Sequence, residues 1–228
     1  MLFLALPALG VAGEMHPAEA WHFLYPKIRD GLIAKEEAQA ELKTLETSLR
    51  EVYLRNGGTR DDGGLAFPVM GYTPTSIGGK RGSGYQARGY DFFDGNRHKG
   101  HPGHDIFIRD KNQDGLDDVT GKPVIVISAS SGIVVSLNRE WEPSSPIRGG
   151  NYIWIYDPVK SRYFYYAHLD EVSVRIGQIV SQGGQLGTVG RTGVNAYPKR
   201  SPTHLHFTIH PSGDGYPKPI DPYSELIK

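Results

Sequence analysis

Apolar positions in the first quarter of the chain follow a helical period. After Pro17, which suits the first turn of a helix, apolar residues recur every three or four positions until Gly31 interrupts the pattern. The stretch from Lys35 to Leu54 carries a second apolar stripe of period near 3.6, and Asn56-Gly57-Gly58 suits its end. The pattern predicts two helices that pack on or before the main domain.

From Leu65 onward, short β-branched and aromatic runs alternate with Gly, Pro, Asn and Asp. Gly and Pro account for 29 and 16 of the 228 residues, so the chain turns often. The close spacing of these runs predicts a mainly β fold, a compact antiparallel β sandwich or barrel-like domain, with an N-terminal helical segment. The candidate strands are Asp105–Arg109, Val124–Ser128, Gly132–Asn138, Asn151–Asp157, Arg162–His168, Val172–Ile179, Gly187–Gly190 and His204–His210.

These patterns of apolar and polar residues divide the chain into residues 1–13, residues 14–64 (the helical region) and residues 65–228 (the main domain). Leu2 to Gly13 is apolar and ends in small residues, which resembles the core of a secretory signal peptide, although the basic n-region is missing. The alternative is a buried apolar segment. We expect an exported protein, in the periplasm, the cell envelope or the medium.

The composition bears on which classes of partner and ligand the protein can bind. Lys plus Arg and Asp plus Glu both number 25, so the formal net charge is zero. The chain lacks the surplus of basic residues that is typical of nucleic-acid-binding proteins, and we expect no nucleic-acid partner. No apolar run approaches the roughly 20 residues that span a bilayer, so we expect no integral membrane span. Cysteine is absent, which leaves nine histidines and the carboxylates as metal ligands. The oligomeric state is not determined by these features.

The segment from His204 to His210 has the alternation of a strand. Residues two apart share a face, so His204, His206, Thr208 and His210 point one way. Leu205, Phe207 and Ile209 point the other way, where they can pack in a core. Two imidazoles on one strand face can converge on one site, but the alternative is a solvent-facing strand that carries histidines.

A second segment, His101-Pro-Gly-His-Asp105, adds a carboxylate. In an extended chain His101 and Asp105 share a face and His104 lies on the other, which favours the first two as ligands. With His206 they form a set of two histidines and one carboxylate. Three protein ligands leave the fourth position of a tetrahedral Zn²⁺ open, as in catalytic sites. His168 and His204 are then available for general-base and electrostatic roles.

Four motifs in this order resemble the lysostaphin-like (LytM-type) zinc endopeptidases of bacteria. They are HxGxD at His101–Asp105, the AHLD segment around His168, the glycine-rich stretch Gly177–Gly193, and HLHF at His204–Phe207. The resemblance covers roughly Phe67 to Tyr223 and does not include the N-terminal helices.

The resemblance implies a zinc-dependent metalloendopeptidase that hydrolyses peptide bonds in bacterial peptidoglycan, in cross-bridges or stem peptides. It implies one Zn²⁺ per chain, held by His101, Asp105 and His206. His168 and His204 would be catalytic, with zinc-bound water as the nucleophile and one of the two histidines as the general base. Which histidine takes that role is left open, as is the bond that is cleaved.

Two other functions are consistent with parts of the sequence. One is a non-catalytic LytM-type module that binds or activates a partner cell-wall hydrolase, since some relatives have lost ligands. Here every expected ligand is present, which argues against that alternative. The other is a β module that handles sugars or biotin, which gives no reason for the set of His101, Asp105 and His206.

Aromatic residues and two loops are candidates for the substrate groove. Strand parity puts Tyr166 on the side of His168, which predicts a substrate-binding role, and the alternative is aromatic core packing. The loops Glu140–Gly150 and Arg191–Thr203 are predicted to flank the groove.

An acidic loop follows HxGxD. Asp110, Asn112, Asp114 and Asp118 stand at positions 1, 3, 5 and 9, with Gly115 at position 6, and resemble a calcium-binding loop. Position 12 is a glycine, so the usual bidentate glutamate is missing. Calcium is therefore a candidate second cofactor, and the alternative is a polar turn.

Overall fold

The computed structural model describes residues 15–58, 63–94 and 100–228. The predicted signal-like segment, residues 1–13, lies outside these ranges. The helices are α1 (Pro17–Arg29), α2 (Lys35–Arg55) and α3 (Tyr223–Leu226), with 3₁₀ turns at Pro74–Ser76 and Lys80–Gly82. The strands are β1 (His104–Phe107), β2 (Ile125–Ile127), β3 (Gly132–Asn138), β4 (Asn151–Asp157), β5 (Arg162–Val172), β6 (Ile179–Val180), β7 (Gln185–Val189) and β8 (His204–Pro211).

Both predicted N-terminal helices are confirmed within two residues at each end. α1 begins at Pro17, and the Nδ1 atom of His16 accepts a hydrogen bond from the amide of Ala18 at 3.2 Å. α2 ends at Arg55, next to the predicted stop at Asn56. Within the described ranges, no helix combines the length and the apolar character needed to cross a membrane.

The strands form one antiparallel sheet, which confirms the predicted fold class. Its main path runs β1-β8-β5-β4-β3-β6, and β7 pairs with both β5 and β2. Strand β5 therefore has three neighbours, and the sheet branches there. The predicted strand Val172–Ile179 is wrong because Val172 ends β5 and Gly177, with a φ of +77°, turns the chain into the short strand β6.

Each face of the sheet is covered. Leu205, Phe207 and Ile209 of β8 point into one core, which also includes residues from β2, β7 and the segment before β1. The opposite face carries α1 and α2, and there Trp21 packs against Trp154 and Tyr163 with ring centroids 5.9 and 5.5 Å apart. The helices are thus part of the packing of the sheet.

A buried polar chain fixes the helices to β5. The indole of Trp21 donates to the Tyr163 hydroxyl at 3.1 Å, and that hydroxyl donates to the Glu46 carboxylate at 3.1 Å. Burial raises the pKa of Glu46, against the hydrogen bonds from Ser212, Tyr163 and Gly215. These contacts join α1, α2, β5 and the segment after β8.

Truncation of Trp21 tests how firmly the helices are docked. We expect Trp21→Ala to lower the free energy of unfolding by about 3–5 kcal/mol, since it opens a cavity in a fully buried cluster. Phe23→Ala is the matched control, because Phe23 lies on the same helix but is 59% exposed, and it should change stability little. Urea unfolding of both variants checks this, and equal stabilities of the two variants would contradict firm docking of α1.

Candidate functional site

The register of three central strands brings the predicted site residues together. Strand β8 lies between β1 and β5, and Asp105 of β1 is directly opposite His206 of β8. On the other side of β8, His206 is opposite Ala167, the residue before His168. Directly opposed residues have neighbouring side chains on the same sheet face. The short loop before β1 adds His101 to the same place.

Three of these side chains form a compact donor group. The Oδ1 atom of Asp105 lies 3.1 Å from Nε2 of His101 and 3.0 Å from Nδ1 of His206. The Nδ1–H of His101 donates to the Gly84 carbonyl at 2.9 Å, which turns its Nε2 atom toward the group. Among the residues that the structure describes, this is the one set of three His or acidic side chains close enough to hold a metal.

The donor set fits a zinc ion. Two imidazole nitrogens and one carboxylate oxygen are typical ligands of a catalytic Zn²⁺, and the fourth position stays open. Burial opposes ionisation of Asp105, but hydrogen bonds from His101 and His206 outweigh it and hold the pKa of this carboxyl well below its usual range. Burial also lowers the pKa of His206. Both effects favour the charge states in which these groups bind metals.

Two further histidines stand beside the donor group with their tautomers determined by backbone carbonyls. The Nδ1–H of His168 donates to the Thr192 carbonyl at 2.8 Å, and that of His204 donates to the Pro202 carbonyl at 2.7 Å. Each Nε2 atom then carries a lone pair, and the two rings lie 4.9 Å apart. Burial lowers the pKa of His168 to about 3, with a contribution from the neighbouring histidines, so it is neutral near pH 7.

A β-bulge directs His168 toward the site. Tyr152 pairs with Ala167, whereas the preceding Asn151 pairs with Leu169, so His168 is an extra residue in β5. Its φ is +65°, a left-handed conformation that is uncommon for residues other than glycine. The bulge turns the imidazole to the face that carries His204 and His206.

The same bulge makes the prediction for Tyr166 wrong. Strand parity cannot be continued through an extra residue, so Tyr166 lies on the face opposite His168. Its side chain is fully buried in the core, where its hydroxyl accepts a hydrogen bond from the Ala129 amide at 2.9 Å. The neighbouring Tyr165 lines the cavity instead, and its ring lies 6.3 Å from His206. The parity argument for His104 holds, because it lies on the far face and contacts Asp221 at 2.7 Å.

A cavity of about 240 Å³ extends from these histidines across the sheet. Both predicted flanking loops contribute to it, through Gly149 and its neighbours and through Asn195 and Ser201. Tyr25 and Arg29 of α1 form another part of the wall, and no pattern in the sequence predicted this. A helical period shows that one face of α1 is buried but carries no signal for the surface that it packs against.

The structure gives no support to the predicted calcium site in the acidic loop. Among the described residues, its carboxylates do not converge as a metal-binding group. The Asp110 carboxylate instead accepts hydrogen bonds from the amides of Asp114 and Gly115, both at 3.0 Å, and from the Thr203 hydroxyl at 2.6 Å. Asn112 donates to Asp114, and Asp118 accepts from the Lys111 amide. The loop is a polar turn that supports the residue before His204.

Comparison with known families gives one match, which covers residues 111–222: Peptidase family M23. The matched range includes His168, His204 and His206, and it begins after His101 and Asp105. A comparison with curated proteins gave no match.

Solved structures show similarity at low identity. A zinc-containing peptidase from Vibrio cholerae is 22% identical with a TM-score of 0.45, over 76% of this chain and 42% of that one. The catalytic domain of lysostaphin from Staphylococcus simulans is 25% identical with a TM-score of 0.40, over 59% of this chain and 83% of that one. A chain of the SpoIIIAH and SpoIIQ complex is 21% identical with a TM-score of 0.47, over 70% and 98%. This chain thus spans less than half of the Vibrio protein.

Proposed function

We propose that this chain, in which residues 111–222 match peptidase family M23, is a zinc-dependent metalloendopeptidase that hydrolyses peptide bonds in bacterial peptidoglycan. The observation that carries the proposal is the convergence of His101, Asp105 and His206 beside two histidines with Nε2 lone pairs. A substrate in the cell wall requires action outside the cytoplasm, so the proposal includes export. A hydrolysis assay determines whether the cleaved peptide bond lies in a cross-bridge or in a stem peptide.

The chain's own residues suit peptide hydrolysis. His101, Asp105 and His206 would hold the zinc ion, which when bound supplies a Lewis acid that polarises the scissile carbonyl and activates water. His168 and His204 each present an Nε2 lone pair that can accept the proton of the attacking water. The histidine that takes the proton can then donate it to the leaving amine. The carbonyls of Thr192 and Pro202 hold both rings in the tautomer that this transfer requires.

The proposal is tested by measuring bound metal and hydrolysis on one preparation. We expect about one zinc per chain by elemental analysis and new amino termini released from purified peptidoglycan or from glycine-rich peptides. The matched control is the same protein after chelation, which should be inactive until zinc is returned. Zinc binding without hydrolysis of any wall peptide would favour the alternative of a module that engages a partner hydrolase. Hydrolysis that survives removal of the metal would contradict the zinc mechanism.

Thr192 holds the bulge that positions His168. Its hydroxyl donates to the Leu169 carbonyl at 2.8 Å and accepts from the Asn151 amide at 2.8 Å, while its own carbonyl accepts from His168. We expect Thr192→Val to lower kcat by about ten- to hundredfold without loss of zinc, since residues that orient an active-site group have effects of this size.

Thr192→Ser is the matched control, because it keeps the hydroxyl and should retain most of the activity. Steady-state kinetics and zinc analysis of both variants check this prediction. It would be refuted if the valine variant had the kcat of the wild type, or if the serine variant lost as much activity as the valine variant.

A further inference from the structure

Helix α1 supplies part of the wall of the cavity that contains the candidate site. Tyr25 and Arg29 are four residues apart, so they share the helix face that packs on the sheet, and both line the cavity together with His101 and His206. The ring of Tyr25 lies edge-on to Tyr152 and Trp154, with centroids 5.7 and 5.6 Å apart. Tyr25 and Arg29 lie outside residues 111–222, the part of the chain that matches the family.

The aromatic wall carries a guanidinium group at its end. The Arg29 side chain is 20% exposed, and Asp30 accepts from its Nε and Nη2 atoms at 2.7 and 2.8 Å. These bonds use one edge of the planar group and hold its orientation, and the Nη1 donors belong to another edge. Arg148, from a flanking loop, adds a second guanidinium to the lining. Among the described residues that line the cavity, Asp105 is the one carboxylate.

Asp30 already pairs with the Nε and Nη2 edge of Arg29, so a ligand in the cavity would meet the Nη1 side of this guanidinium. The cavity is partly enclosed and has aromatic walls, and charge-assisted hydrogen bonds are stronger there than in water. A carboxylate is the group on a peptide that matches a guanidinium in charge and planar shape. The aromatic rings of Tyr25 and Trp154 match apolar parts of the same ligand.

We propose that Arg29, supplied by α1, binds a free carboxylate of the peptide substrate at a distance from the scissile bond. The inference rests on the proposed function for the statement that this peptide is hydrolysed, but carboxylate binding itself does not depend on hydrolysis. It assigns the N-terminal helix a role in substrate selection. The preferred substrates are then peptides with an unamidated carboxyl group, as opposed to neutral ones.

Binding of two probe peptides tests this inference. N-acetyl-tetraalanine and its carboxamide differ only in the terminal charge, and their affinities can be measured by calorimetry or by fluorescence of the Trp154 that lines the cavity. We expect the whole 228-residue chain to bind the carboxylate about tenfold more tightly, as one charge-assisted hydrogen bond allows. Measurement on both zinc-loaded and metal-stripped protein separates this preference from direct binding of the carboxylate to zinc.

Variants assign the preference to Arg29. Arg29→Gln should reduce it below twofold while leaving the affinity for the carboxamide unchanged. The exposed Lys27 of the same helix provides the matched control, and Lys27→Gln should keep the full preference. Because Arg29→Gln leaves the Asp30 carboxylate without its partner, the double variant R29Q/D30N is also needed. It should likewise show no preference, whereas Arg29→Lys should keep part of it.

Three results would overturn the inference: equal affinities of the two peptides for the metal-stripped wild type, a preference that persists in R29Q/D30N, or no binding of either peptide. Hydrolysis of peptidoglycan is measured separately on the same preparations. A carboxylate preference without any hydrolysis would refute the proposed enzymatic function and leave the inference standing. Hydrolysis without a carboxylate preference would refute the inference about Arg29 and leave the proposed enzymatic function standing.

Discussion

Replacing His206 by alanine should abolish zinc binding and lower peptide hydrolysis by about four orders of magnitude. The Nδ1 atom of His206 lies 3.0 Å from the Asp105 carboxylate, inside the donor group, so its removal leaves only two ligands. Polarisation of the carbonyl by a metal contributes several kcal/mol, and each 1.4 kcal/mol is a factor of ten in rate. Elemental analysis of dialysed protein and a peptide cleavage assay measure the two effects.

His204→Ala is the matched control for the metal. His204 lies on the same strand and face, but its Nε2 atom is 3.6 Å from Asp105 and outside the group that can hold an ion. This variant should keep about one zinc per chain. Loss of zinc in both variants, or in neither, would refute the division of roles between these two histidines.

Removing either of the two remaining histidines should separate metal binding from turnover. We expect His168→Ala and His204→Ala to keep zinc and to lower kcat by about 10²- to 10⁴-fold, the range that proton transfer by a positioned side chain contributes. Each ring donates its Nδ1–H to a backbone carbonyl and presents Nε2 to the site, so neither is needed as a ligand. Zinc content, kcat and thermal unfolding should be measured together, because both side chains are buried.

A kcat close to that of the wild type in either variant would remove that histidine from the reaction. A lower melting temperature with proportional loss of zinc would instead show that the side chain supports the fold. The pH dependence of kcat for the two variants then distinguishes the proton acceptor from its partner, since only removal of the acceptor should eliminate the acidic limb of the profile.

Local periodicity was sufficient for most of the secondary structure. The helical stripe before residue 56 predicted α1 and α2, and the alternation in His204–His210 predicted which side chains of β8 enter the core. These predictions succeed because burial of one face imposes a period of 3.6 or 2 that is visible in a short window. The turn at Gly177 was missed because the alternation of apolar and polar residues from Val172 to Ile176 does not by itself reveal where a strand ends.

The identities and spacing of the chemical groups were also visible in the sequence. His101, Asp105 and His206 were identified as a set from residue type, parity and the order of the motifs, and the register of β1, β8 and β5 brings them together. The antiparallel β framework, the two helices and the composition of the donor group are thus predictable from the order of residues alone.

The tertiary structure decided what surrounds that group. The bulge at His168 exchanged Tyr166 for Tyr165 in the cavity, because one extra residue reverses every later position on a strand. Docking of α1 brought Tyr25 and Arg29 to the same cavity, and the Asp110 carboxylate turned inward to hold Thr203. Each of these depends on contacts between residues far apart in the chain, for which a local pattern of polar and apolar residues contains no information.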